Sequence, residues 1–115
     1  MARTDKQPLI MGIDPGISGG IAVLTAKGAV YAVAKMPPTL HDIWFEIGQP
    51  FDRVLPQTWQ GKMGCRTGGD KNISKAAAQR LFPKVTVTHA IADALLLAEY
   101  ARRLAVARYP TSGAA

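Results

Sequence analysis

The sequence predicts an α/β domain: a sheet that opens with a three-strand antiparallel meander and is flanked by helices. Three observations predict it. Leu9 to Ile13, Ile21 to Thr25 and Ala29 to Lys35 are short β-like apolar runs bounded by turn residues. Leu40 to Ile47 and His89 to Ala107 instead repeat their apolar residues at helical spacing. The third observation is size, since 115 residues with 48% hydrophobic content bury one core and leave no room for a second. Residues 1–109 are therefore expected to form a single domain, and the tail after Pro110 to be disordered.

The first strand, Leu9 to Ile13, is nearly continuous in apolar residues, which suits burial on both faces. Asp14 ends it. A residue before proline is driven out of the α region, so Pro15 should hold Asp14 extended with its carboxylate leaving the strand in a fixed direction. Gly16, Gly19 and Gly20 then let the backbone turn sharply and leave space around that carboxylate for a phosphate or a hydrated metal. Equally, Asp14 could cap its own turn, with the glycines supplying positive φ.

Ala26, Lys27 and Gly28 join the second and third strands closely enough for an antiparallel hairpin. Met36, Pro37 and Pro38 stop the third strand. Thr39 is placed to cap a helix carrying Leu40, Ile43, Trp44 and Ile47, which Gly48 and Pro50 end. Val54 and Leu55 form one short strand before Pro56 breaks it. Trp59, beside Lys62, either stacks on a base or anchors a loop to the core. Gln60 to Asp70, with four glycines and Lys62 and Arg66, reads as a mobile basic loop; it lacks the GK[ST] ending of a nucleotide P-loop. Asp70 or Asn72 caps a short helix through Ile73, Ala76, Ala77 and Leu81, stopped by Phe82 and Pro83, with Lys71, Lys75 and Arg80 outward. Val85 and Val87 lead to Thr88, a second cap. The last helix, His89 to about Ala107, buries Ile91, Ala94, Leu95, Ala98 and Ala105 and exposes Arg102, Arg103 and Arg108.

Charge narrows the function. Fourteen Lys and Arg against eight Asp and Glu give a net charge of +6, which favours a polyanionic partner. The basic residues concentrate between Arg53 and Lys84, which points to nucleic acid. One cysteine, Cys65, excludes an internal disulfide and a thiolate zinc cluster. No apolar run reaches membrane-spanning length and no secretory h-region follows Met1, so a cytoplasmic protein without a membrane partner is expected.

Asp93 stands out within HAIADALLLA, the most apolar stretch, where a charge is costly unless paired or metal-bound. His89 lies four residues earlier on the same face. Either the two form a satisfied pair, hydrogen-bonded to each other or to a cap, or Asp14 and Asp93 converge on a divalent metal. Magnesium, or manganese in its place, suits carboxylates from distant segments together with waters and phosphate oxygens.

GIDPGISGGIAV, VLPQTWQ and HAIADALLLAEYARR, in that order, resemble the first-strand motif, the segment after the fifth strand and the final helix of the RuvC-like Holliday-junction resolvases. These belong to the RNase H-like superfamily and are carried by phages and bacteria. The resemblance implies an RNase H-like mixed sheet of order 3-2-1-4-5, metal-dependent hydrolysis of phosphodiesters in branched DNA, and a homodimer matching a four-way junction. It implies Asp14 and Asp93 as metal ligands and His89 as a ligand or proton-transfer group. Lys62, Arg66, Lys71, Lys75, Trp59, Gly16 and Gly19 become the nucleic-acid contacts.

The sequence departs from that pattern in the middle. The family carries a catalytic glutamate on a fourth strand, and Gly48 to Arg53 leaves no space for it, so the parallel part of the sheet should be shortened there. Asp52 and Glu46 are the nearest acids, neither well placed to replace it. Two readings follow, an endonuclease that resolves junctions and a relative that binds branched DNA without cutting. A third is a fragment of an actin-like kinase or ATPase, whose first phosphate motif also joins an Asp to a glycine-rich hairpin. That one requires a nucleotide cofactor and a longer chain; undetectable ATP binding by calorimetry would remove it.

Overall fold

The computed structural model describes residues 9–15, 18–36, 54, 56–65 and 70–108. Their order is β1 (Leu9–Asp14), β2 (Gly20–Thr25), β3 (Val30–Lys35), α1 (Pro56–Met63), α2 (Lys71–Leu81) and α3 (His89–Arg108). The fold class is α/β, an antiparallel sheet of order β1-β2-β3 with α3 packed on it and α1 and α2 packed on α3.

The meander follows the sequence signals. Leu9 faces Thr25 and Asp14 faces Gly20 across the first pair, and Gly20 faces Lys35 across the second. Gly28, at φ +94°, supplies the left-handed residue of the β2–β3 turn. The Thr25 hydroxyl accepts from the Ala29 amide at 3.1 Å and fixes that turn. A register shift between Val23 and Leu24 re-aims β3 halfway along.

The core forms where α3 crosses the sheet. Ala22 and Leu24 of β2 and Ala94, Leu95 and Ala98 of α3 are all 0% exposed. The approach is close because glycines face the helix. A Cβ on Gly12 would lie 2.3 Å from the Ala94 carbonyl oxygen, and one on Gly20 would lie 2.4 Å from that of Ala90. Helix α2 adds Ser74, Ala77 and Ala78, and α1 adds Trp59. The Gln79 amide ties the link to α3: its nitrogen donates to the Phe82 and Val85 carbonyls and its oxygen accepts from the Val87 amide. The Thr88 carbonyl accepts from the Ala92 amide at 3.0 Å and opens α3.

Several expectations need correction. Strand β1 is not buried on both faces: Leu9 and Met11 are 36% and 42% exposed, because α3 covers only the side carrying Gly12. Pro56 does not break the chain but begins α1, a position where its missing N–H costs nothing. Gln60 to Met63 is accordingly helix rather than loop. Gly64, at φ +68°, ends the helix. Its amide donates to the Gly61 carbonyl and that of Cys65 to Gln60, a Schellman closure.

Val54 is half-buried against the core without strand pairing, and the shortened parallel part is not seen among the described residues. On α2, Ile73 and Leu81 are exposed, since the buried face is Ser74, Ala77 and Ala78. Arg102 is half-buried rather than exposed, held by Glu99. The helix expected over 39–47, Glu46, Asp52, Leu55, Gly16, Arg66 and the tail lie outside the described residues. No described helix is long and apolar enough to cross a membrane.

Candidate active site

Strand β1 ends at Asp14 and α3 begins at His89, and both ends meet at one side of the sheet. The close seam of Gly20 on Ala90 brings the first turn of α3 against the β1–β2 bend. Gly19 folds that bend tightly, since a Cβ there would fall 1.8 Å from the Asp14 carbonyl oxygen. The Met36 amide donates to the Gly19 carbonyl at 3.0 Å and holds the bend in place.

The result is a cleft of about 390 Å³ lined by Asp14, Ser18, Gly19, Lys71, His89 and Asp93 among others. Its electrostatics are those of crowded acids. Burial pushes the Asp14 carboxyl up to about 6, the Asp93 charge adds to the rise, and the Lys71 ammonium opposes it. The buried Cys65 thiol is raised too, first by desolvation and then by the Asp93 charge.

Asp14, Asp93, His89 and Gly19 line the same cleft. Lys71, expected on the exposed face of its helix as a DNA contact, also lines the cleft. Lys62 is exposed on α1 and Lys75 half-buried on α2, and neither lines the cleft. Trp59, 5% exposed, belongs to the core; of its two readings the anchor fits, and base stacking does not. No hydrogen bond joins His89 to Asp93 among the described residues.

Sequence reasoning missed the cluster at the other end of α3. Glu99, 5% exposed, accepts from Arg102 at 2.6 and 2.8 Å and from Arg103 at 2.8 Å. Arg102 also donates to the Ala26 carbonyl at 3.3 Å, latching α3 to the β2–β3 turn. A Glu followed at i+3 and i+4 by arginines was the available signal.

The donor set decides what the cleft can hold. Two carboxylates on separate elements that line one cleft are the donor type a hard divalent cation takes. Among the described residues no group of three or more His, Cys, Asp or Glu side chains is arranged to hold a metal. Compared with known families and curated proteins, the chain matches no family model and no curated sequence.

Proposed function

We propose that this protein is a divalent-metal-dependent endonuclease of the RuvC-like, RNase H-like type, acting on branched DNA as a homodimer. One observation carries the reading. Carboxylates from the first strand and the last helix line the same cleft, with a lysine and a histidine beside them. The order β1-β2-β3 agrees with the 3-2-1 half of an RNase H-like sheet.

Asp14 and Asp93 would hold magnesium or manganese, which supplies an activated water and charge neutralisation at a phosphodiester. Gly19 and the bend keep bulk away from the phosphate. Lys71, with Lys62 and Lys75 farther out, offers cations to the DNA backbone. His89, exposed at the start of α3, would exchange a proton with the leaving oxygen or with water.

A second reading keeps the fold and the DNA binding without cleavage. It is favoured by the two-acid cleft, which supplies less than two-metal hydrolysis needs. An end-labelled four-way junction with magnesium or manganese separates the two. Symmetric nicks that disappear in Asp93→Asn are expected of the endonuclease. A junction retarded but uncut by both proteins leaves the binding reading alone, and no retardation removes both.

A further inference from the structure

We propose that Lys71 is the resident counter-charge of the Asp14–Asp93 cleft, so that DNA and a divalent cation bind there cooperatively. The inference rests on the metal-dependent reading above. A phosphate that engages Lys71 removes the positive charge a cation would otherwise meet.

The geometry is that of a shared cleft with three charged walls. Asp14 comes from β1, Asp93 from α3 and Lys71 from the first residue of α2. That first residue is fixed in place: Asp70 caps α2, its side chain accepting from the Asn72 amide at 2.9 Å. The Lys71 side chain itself is exposed and reachable from solvent.

In the free protein Lys71 thus offsets part of the charge of the acid pair. An arriving dication gains the attraction of two carboxylates but is repelled by the ammonium. A DNA phosphate reverses the balance, since its negative charge draws the ammonium and joins the carboxylates in attracting the cation. Lys75, one turn along α2, gives the same strand a second cation. Linkage makes the effect reciprocal: what the phosphate does for cation affinity, the cation does for DNA affinity by the same factor.

Two titrations test this. Manganese is titrated into the free wild type, Lys71→Gln and Lys71→Arg by electron paramagnetic resonance. Removing the charge is expected to tighten manganese binding about fivefold, within the usual range of site-to-site coupling, and Lys71→Arg to stay near wild type.

The four-way junction is then bound with and without calcium at matched ionic strength. Asp93→Asn provides the baseline for ions condensed on DNA. Calcium should strengthen wild-type binding beyond that baseline by a similar factor, and Lys71→Gln should lose the excess.

Unchanged manganese affinity in Lys71→Gln, or an excess that survives the substitution, would overturn the proposal. Equal manganese affinity in wild type and Asp93→Asn would instead mean that the metal site itself is wrong. Because Lys71 is exposed, neither substitution removes core packing.

Discussion

Asp14 is the acid of the candidate site whose ionisation the fold shifts. Its value of about 6 lies above the ordinary 3.8, chiefly through burial and then through Asp93. A carboxyl raised in the folded state binds its proton more tightly there than in the unfolded chain. Stability is therefore greatest below the unfolded value and falls as pH rises from about 4 through 6. At about 1.4 kcal/mol per unit the full loss would approach 3 kcal/mol, and solvent at this half-buried site reduces it to about 1 kcal/mol. Asp14→Asn should therefore stabilise the protein by about that amount at pH 8 and far less at pH 4, measured by urea unfolding at both. Asp14 was legible because Pro15 and the glycines mark the end of a strand. The cleft position of Lys71 was not, since a helix terminus shows its cap in the sequence but not the element it faces.

At the scale of elements, the seam between α3 and the sheet sets the distance between the two acids. Gly12→Ala would drive a methyl group to 2.3 Å from the Ala94 carbonyl oxygen and 2.5 Å from the Ala98 nitrogen. Both neighbours are helix backbone, so α3 must move; a loss of about 1–3 kcal/mol is expected in chemical denaturation. Helix α1 makes the opposite point about sequence signals. Gly61 and Gly64 look like loop residues, yet Gly64 is the left-handed cap and Gly61 is tolerated inside the helix at about 1 kcal/mol. What holds α1 is Trp59, whose burial is tertiary and invisible to local propensity. Trp59→Ala should cost about 3–5 kcal/mol while leaving junction affinity unchanged at a temperature where the variant is folded. Lost affinity in a fully folded variant would restore the stacking role.

Across the whole molecule, a net charge of +6 is the term that would steer the proposed approach to DNA. Junction affinity should fall steeply with salt. Lys62→Gln and Lys75→Gln should each flatten the logarithmic slope by about 0.9 if each lysine meets a phosphate, as fluorescence anisotropy across a salt series would show. The α/β class and the antiparallel meander were readable because alternating turns and apolar runs are local signals. Pairing at the far side of β1 is not local. Val54 shows why, since a β-branched residue in an apolar pair became a core contact without a strand. The candidate site was legible as two acids at the two ends of the chain, and their convergence came from the antiparallel meander and α3 lying across it.

Manganese binding by the wild type, Asp14→Asn, Asp93→Asn and the double variant tests most directly whether these two acids are one cation site. Either single substitution should abolish binding seen by electron paramagnetic resonance, and the double should be no worse than either, as for partners in one site. Single variants that bind as well as wild type, or losses that add as if the carboxylates were independent, would contradict it.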